Sequence, residues 1–140
     1  MESDLKGVQL LGGVFDSRLL QQLRLGASAY IHGHSVGGTN PSLLEAMGCG
    51  NVVLAHDNPF NREVLGNVGF YFSSAANLGV ELCRFFQMSE SDRVSRTMRA
   101  REIVEIRYSW DLITDQYEKL MLSDADHASP PGSAQRVGPL

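Results

Sequence analysis

Short apolar runs of strand length alternate with helical patterns through the first half of the chain, and this alternation constrains the fold more than any other feature. The runs cover residues 8–13, 28–33, 51–56 and 69–72. The stretches with apolar side chains at helical spacing are 17–25, 41–47 and 60–65. Strands joined by helices pair in parallel through right-handed crossovers. We therefore expect a three-layer α/β domain with about four parallel strands and helices on both faces of the sheet.

The second half of the chain predicts helices followed by a polar tail. Residues 89–92 form a capping box that opens a helix ending near Tyr108, and Ser109 caps a further helix. Residues 123–140 contain few large apolar side chains and many Ser, Pro, Gly and Ala residues, so their burial cannot offset the entropy lost on ordering. We expect one domain over residues 1–122 and a disordered tail over residues 123–140.

The charge balance and the cysteines limit the class of partner and the compartment. Twelve Lys and Arg residues against sixteen Asp and Glu residues give a net charge of −4, whereas binding to a nucleic-acid backbone needs a concentrated positive surface. Cys49 and Cys83 have no metal-type spacing and are typical of a reducing compartment. The sequence has no apolar window of ~18 residues and no signal-type N-terminus. We therefore expect no nucleic-acid partner and a cytoplasmic protein, with at most peripheral contact at the inner face of the membrane.

Polar residues are concentrated in the segments that leave the predicted strands. The segments that leave strands are residues 12–13, both glycine, and residues 32–40 and 56–58, which carry the polar side chains, whereas the loops that enter strands carry mainly glycines. Ligands of open parallel sheets bind beyond the carboxyl ends of the strands. The chemistry of this chain is therefore expected on one rim of the sheet.

The segment Gly37-Gly38-Thr39-Asn40-Pro41 has the composition of a loop that brings its backbone close to a ligand. Two glycines allow a turn and a close approach. Asn40 can cap the following helix, and Pro41 suits the first helical position. A ligand would then lie against the loop and the helix start together.

The first amides of that helix, at Ser42 and Leu43, are expected to be free and to point at the ligand. A helix N-terminus favours an anion by about 0.3–1 kcal/mol, or by ~2 kcal/mol when partly buried. A phosphate is the natural ligand, and since this contribution is small beside the charge of a diphosphate, the site also needs a cation. Arg62, on the neighbouring loop and helix, is the candidate.

Glu45 lies four residues after Pro41 among apolar neighbours. Its carboxylate can accept two hydrogen bonds from adjacent hydroxyls, as in a ribose diol. A carboxylate that faces solvent or stabilises the start of its helix explains the same spacing. Both interpretations stay open at this point.

Three histidines, His32, His34 and His56, lie at or just beyond the ends of predicted strands and, with Asp57, bring a metal site into consideration. His-x-His is a known ligand spacing, but no clear acidic set completes the shell. Structural or ligand-contacting histidines are the favoured interpretation, so no metal and no cofactor are expected. The chain also contains no nucleophile elbow, no P-loop motif and no dinucleotide-binding glycine motif.

The stretch "SVGGTNPSLLEAMGCGNVVLAHDNPFNREVLGNVGFYF" resembles the donor-binding half of GT-B glycosyltransferases of the glycosyltransferase group 1 family, and is most similar to bacterial rhamnosyltransferases. The matching features are the glycine loop, Pro-x-x-x-Glu-Ala-Met, the Gly-x-Gly before a strand, Asn-Arg-Glu-Val with a following glycine, and the closing "YSWDLITDQYEKL". The resemblance covers about residues 8–120. It implies a Rossmann-like domain that is one N-terminally truncated half of a GT-B fold.

The resemblance implies binding of a nucleotide-diphosphate sugar, with dTDP-rhamnose as one candidate, for retaining transfer to a polysaccharide or lipid-linked acceptor. Glu45 matches the glutamate that binds the ribose in this family. The family's other glutamate, which contacts the donor sugar, would fall on Gly37 or Ser35 and is missing. The predicted donor site comprises His34, Ser35, Gly37, Gly38, Thr39, Asn40, Ser42, Leu43, Glu45 and Arg62.

The resemblance also implies an acceptor-binding half, and earlier strands with diphosphate-binding Arg or Lys residues, that this chain does not supply. We therefore expect the isolated chain to be inactive without an N-terminal half and to self-associate through an exposed sheet edge. Two alternatives remain: a non-catalytic nucleotide-binding or interaction module, and a domain like a sugar-nucleotide epimerase, which shares the fold and a related glutamate.

Overall fold

The protein is built on a small parallel sheet with helices packed against it. The structure is a computed structural model that describes residues 7–127, with side chains described to residue 123. In chain order the elements are α1 (Ser17–Gly26), β1 (Ala29–His32), α2 (Pro41–Gly48), β2 (Val52–His56), α3 (Pro59–Leu65), β3 (Phe70–Phe72), α4 (Ala75–Gln87), α5 (Glu90–Arg107) and α6 (Trp110–His127). The predicted α/β class is confirmed.

The sheet has three strands in the order β1-β2-β3, and both strand pairs are parallel. Tyr30 of β1 lies opposite Val53 of β2, and Ala55 of β2 lies opposite Tyr71 of β3. A helix connects each strand to the next, as the alternating pattern predicted. Three of the predicted strands and the helices between them are therefore confirmed, and the open parallel arrangement is consistent with a Rossmann-like domain.

The prediction of a fourth strand at residues 8–13 is wrong. This segment is neither helix nor strand, and Leu10 is 85% exposed. A strand is stable when its backbone groups pair and its side chains are buried. The open edge of β1 offers pairing, but the adjacent Ile31 is itself 48% exposed, so an added strand would gain little burial there.

One face of the sheet is buried against α2, α3 and α5. Val53 and Ala55 of β2 pack with Leu43 and Met47 of α2 and with Ala100 of α5, and all five are nearly inaccessible to solvent. Leu43 and Met47 are four residues apart and share one face of the helix. Since this face anchors α2 along its length, the first turn of α2 is held at the carboxyl end of the sheet.

The other face of the sheet is covered in part. Leu54 and Phe72 point away from the first cluster because side chains alternate along a strand, and both are buried. Helix α4 packs against β2 and β3 and contributes the buried Phe85. Helices therefore lie on both faces at β2 and β3, whereas β1 is left open at Ile31.

Helix α1 lies beside α2 and buries none of its residues. Leu19 and Leu23, which are four residues apart and share one face of this helix, are both exposed. The carboxamide nitrogen of Asn51, just before β2, donates to the carbonyl oxygens of Arg24 at 2.7 Å and Ala27 at 2.8 Å. These bonds attach the end of α1 to the amino end of the sheet.

The C-terminal part is helical, as predicted. Helix α5 begins at the expected capping box, where the Asp92 N–H donates to Ser89 Oγ at 3.2 Å. Helix α6 continues to His127, past the expected end of the domain at residue 122. The rest of the predicted tail, residues 128–140, lies outside the described residues. Among the helices that the structure describes, none has the length and apolar character needed to cross a membrane.

Candidate functional site

Of the three segments predicted to leave strands, the two polar ones meet at the carboxyl end of the sheet. Residues 33–40 follow β1 and residues 57–58 follow β2. The carboxamide nitrogen of Asn58 donates to the carbonyl oxygen of His34 at 3.1 Å, which joins the two segments directly. Residues 12–13 do not follow a strand, because the strand predicted at residues 8–13 is absent.

The loop between β1 and α2 is exposed and turns at Gly37. Gly37 has a φ of 107°, in the left-handed region that glycine adopts without strain. Gly38 does not have such a φ, and a Cβ added to either glycine would meet no atom within 4 Å. Ser35 and Thr39 are exposed on either side. The turn itself requires Gly37, whereas the space beside Gly38 leaves the backbone open to a ligand.

Asn40 caps α2, as predicted, and this cap uses the amides expected to face a ligand. Asn40 Oδ1 accepts from the Ser42 N–H at 3.0 Å, and the Asn40 carbonyl accepts from the Leu43 N–H at 3.0 Å. The Tyr30 hydroxyl donates to Ser42 Oγ at 3.3 Å and ties the helix start to β1. The prediction that these two amides are free is therefore wrong. A phosphate bound at this rim would instead have to contact the backbone of residues 35–39.

Glu45 lies about one turn into α2 and is paired with Arg24 of α1. Arg24 Nη2 lies 2.8 Å from Glu45 Oε2, with side-chain exposures of 16% and 55% respectively. The helical rise of about 1.5 Å per residue places Glu45 roughly 6 Å along the axis from Pro41. The carboxylate therefore faces α1 and solvent. It lies close to the loop, but one of its oxygens is already paired with the guanidinium of Arg24.

A cleft of about 480 Å³ lies between α1 and α2, next to this ion pair. Leu20 and Gln21 of α1 line one side, and Glu45 and Cys49 line the other. Ligand sites of small molecules have volumes of about 300–1,000 Å³. The cleft thus offers apolar and polar groups beside Glu45 in a space large enough for a nucleoside.

Arg62 lies on α3, and its charge is paired with Asp57. Arg62 Nη2 donates to Asp57 Oδ2 at 2.8 Å, and the guanidinium lies 4.4 Å from the centre of the Tyr71 ring. The hydrogen bond from Arg62 lowers the pKa of Asp57, and the same bond raises the pKa of Arg62. A phosphate that binds Arg62 would therefore compete with Asp57 for the guanidinium.

His32 and His34 stack on each other at the end of β1. Their ring centres are 4.7 Å apart and their planes differ by 20°. His32 is 1% exposed, and neither of its nitrogens has a hydrogen-bond partner. Burial, and secondarily the charge of His34, lowers the pKa of His32 and thus favours its neutral form. Across residues 7–127, no group of three or more His, Cys, Asp or Glu side chains could hold a metal ion.

Asn61, which sequence reasoning missed, connects the two strand ends. Its carboxamide nitrogen donates to the carbonyl oxygens of His34 at 3.1 Å and His56 at 2.8 Å. Its own N–H donates to Asn58 Oδ1, which caps α3, at 2.8 Å. The pair Asn58-Pro59 indicates a helix start. A bond from a side chain to the backbone of another loop leaves no pattern in the sequence.

The predicted site residues lie on three neighbouring parts of the chain. His34 to Thr39 are in the loop, Asn40 to Glu45 are on α2, and Arg62 is on α3. The loop and α3 are joined through His34, whereas Glu45 lies on the α1 side of α2. Leu43 is buried in the core, so its side chain is not accessible to a ligand.

Neither a protein-family model nor a curated protein sequence matches this chain significantly. The function is therefore inferred from the residues of this rim.

Proposed function

We propose that this chain is the donor-binding domain of a GT-B glycosyltransferase and that it binds a nucleotide-diphosphate sugar at the carboxyl end of its sheet. The observation that carries the proposal is the position of the glycine loop. The loop is exposed, turns at Gly37, and lies between the start of α2 and the helix that bears Arg62. Loop amides and helix N-termini are groups that proteins use to bind phosphates.

The diphosphate is assigned to the loop at residues 35–39. The amides of Ser42 and Leu43 are used by the cap, so the loop backbone supplies the hydrogen-bond donors. The dipole of α2 still favours an anion at its start by about 0.3–1 kcal/mol. Arg62 supplies positive charge when a phosphate oxygen replaces Asp57, an exchange that suits the planar, forked guanidinium.

The nucleoside is assigned to Glu45 and to the cleft between α1 and α2. Arg24 contacts one carboxylate oxygen at 2.8 Å. An ionised carboxylate has about four lone-pair sites, so ribose hydroxyls can bond to Glu45 while Arg24 stays in place. The base would then pack in the cleft against apolar atoms of α1, such as those of Leu20.

The reaction proposed for the complete enzyme breaks the bond between the anomeric carbon and the diphosphate as the bond to the acceptor hydroxyl forms. Negative charge develops on the departing diphosphate. Preorganised amides and a guanidinium placed against that charge stabilise the transition state. This chain would contribute donor binding and leaving-group stabilisation. The acceptor, and the group that takes its proton, belong to the acceptor-binding half that the resemblance implies.

Calorimetric titration with dTDP, UDP and GDP, each with and without an attached sugar, tests the proposal. We expect saturable binding of at least one nucleotide, weaker binding of the corresponding nucleoside, and weaker binding to a Glu45→Ala variant. Glu63→Ala is the matched control, because Glu63 is an exposed glutamate on α3. If no nucleotide binds at millimolar concentration while the chain is shown to be folded, the donor-binding proposal is wrong.

A further inference from the structure

We infer that Asn61 is a positioning residue for the glycine loop. Its carboxamide joins the end of β1 to the end of β2, and it thereby sets the place of the loop relative to Arg62. The inference deepens the proposed function, on which it rests for the identity of the ligand. The contacts of Asn61 itself do not depend on that proposal.

Backbone pairing does not reach the loop that Asn61 holds. The ladder between β1 and β2 ends with His32 opposite Ala55. Two residues later, the carbonyl oxygen of His34 accepts from Asn58 and from Asn61, both at 3.1 Å. A carbonyl oxygen has two lone pairs, and the two asparagines at the start of α3 use both of them at His34. These side-chain bonds take the place of the strand-to-strand backbone bonds that end at His32.

Burial makes the Asn61 contacts costly to lose. Asn61 is 4% exposed, so water cannot readily replace its partners. A buried carbonyl or carboxamide left without a partner costs more than an average hydrogen bond contributes. Asn61 is also fixed at its own backbone, where its N–H donates to Asn58 Oδ1 at 2.8 Å. The loop is therefore tied to the capped start of α3.

The consequence for a ligand follows from the position of the attachment. His34 is three residues before Gly37, and a loop with two glycines loses much conformational entropy when a ligand orders it. Fixing the loop at His34 beforehand reduces that cost. Arg62 directly follows Asn61, so the same anchor places the guanidinium. A ligand that bridges the loop and Arg62 needs both in position.

Asn51 provides a matched control within the same chain. It is 2% exposed, and its carboxamide nitrogen also donates to two backbone carbonyls, those of Arg24 and Ala27. These bonds lie before β2, at the amino end of the sheet. Asn51 and Asn61 thus share residue type, burial and number of such bonds, and they differ in which end of the sheet they hold.

The experiment compares Asn61→Ala with Asn51→Ala in the full chain. Three quantities are measured: stability in denaturant, amide hydrogen exchange of residues 35–39 without ligand, and affinity for whichever of dTDP, UDP or GDP binds the wild type. We expect both variants to lose stability. Only Asn61→Ala should accelerate exchange in the loop relative to β2. It should also weaken nucleotide binding by roughly tenfold or more, as expected for misplaced binding groups.

If the alanine variants do not fold, Asn58→Ser is used instead to test whether the start of α3 holds the loop. Serine is a good N-cap residue, so the start of α3 is kept while the donation from Asn58 to His34 is lost. We expect faster exchange in the loop, by a smaller factor than in Asn61→Ala. Unchanged loop exchange in Asn58→Ser would overturn the role of the α3 start in holding the loop.

The outcomes separate this inference from the proposed function. Equal effects of Asn61→Ala and Asn51→Ala on the loop amides, or no effect of Asn61→Ala, would overturn the positioning role. Failure of the wild type to bind any nucleoside diphosphate would overturn the proposed function instead. In that case the exchange measurement still decides whether Asn61 holds the loop.

Discussion

Arg24 Nη2 lies 2.8 Å from Glu45 Oε2, across the cleft between α1 and α2. The carboxylate that the resemblance assigns to a ribose therefore already binds a cation of the same chain. The contact engages one carboxylate oxygen, so lone pairs of Glu45 remain for ribose hydroxyls while Arg24 stays in place.

We predict that Glu45→Gln separates nucleoside binding from diphosphate binding. Hydrogen bonds to a charged acceptor contribute about 1.5–3 kcal/mol, so affinity for a nucleoside diphosphate should fall roughly tenfold or more. Affinity for inorganic diphosphate should stay unchanged, since it has no ribose. Calorimetry with both ligands measures the difference. Arg24→Met is the control for loss of the ion pair and should not weaken nucleotide binding. An equal loss for both ligands would contradict the ribose assignment.

Because Arg62 is paired with Asp57, we predict that two substitutions in this pair change the affinity for inorganic diphosphate in opposite directions. Asp57→Asn removes the carboxylate that occupies the guanidinium, so affinity for inorganic diphosphate should rise, whereas Arg62→Gln should lower it. Glu81→Gln also removes one negative charge from a pair with an arginine, on α4, and it controls for the change in net charge. The role of Arg62 would be contradicted if Asp57→Asn and Glu81→Gln raised the affinity equally.

Alanine substitutions at Gly37 and Gly38 should have different effects. Gly37→Ala places a side chain at a φ of 107°, which costs about 1–2 kcal/mol in the left-handed region. Gly38→Ala meets open space and no positive φ, so denaturant unfolding should show almost no loss of stability. If a diphosphate lies against the loop backbone, Gly38→Ala should nevertheless weaken its binding. Full stability together with full nucleotide affinity in this variant would place the ligand elsewhere.

His32 predicts a dependence of stability on pH. Its pKa in the folded chain is lowered by burial and by His34, whereas the unfolded chain has a value near 6.5. Below about pH 6.5 the unfolded chain takes up a proton that folded His32 resists, so stability should fall as the pH decreases toward the folded pKa.

Unfolding curves of the wild type and of His32→Leu between pH 7.5 and pH 5, roughly the range over which histidine titrates, measure this effect. The variant should lose part of the pH dependence. It should be no less stable at neutral pH, because both imidazole nitrogens are buried without partners and replacing them by apolar atoms is close to neutral. His34→Gln removes only the smaller of the two causes that lower the pKa of His32, so this variant should keep most of the pH dependence. If His32→Leu showed the same pH dependence of stability as the wild type, that dependence could not be assigned to His32.

The strand and helix pattern of the core could be predicted because it depends on neighbouring residues. Asn40 and Pro41 mark the start of α2, and the apolar run at residues 52–55 marks a strand that is buried on both faces. Residues 8–13 show the limit of this reasoning. Their composition suits a buried strand, but burial depends on what covers the edge of β1, and no local pattern contains that information.

The position of the candidate site in the fold could be predicted in outline for the same reason. The glycine loop and the helix start are local features, and the structure places them at one rim. The partners of the charged groups are not local: Arg24 and Glu45 are on different helices, and Asn61 bonds to a carbonyl 27 positions away. The cap at Asn40 could have shown that the Ser42 amide is used, since a capping side chain accepts from that position.

The most direct test of nucleotide binding at the glycine loop is a map of backbone amide chemical shifts during titration of the wild-type chain with UDP, dTDP and GDP. We predict saturable shifts centred on residues 35–39, on Arg62 and on Glu45, for at least one of the three nucleotides. Saturable shifts confined to other parts of the described chain, or no shifts at millimolar ligand in a folded chain, would contradict the proposed donor site.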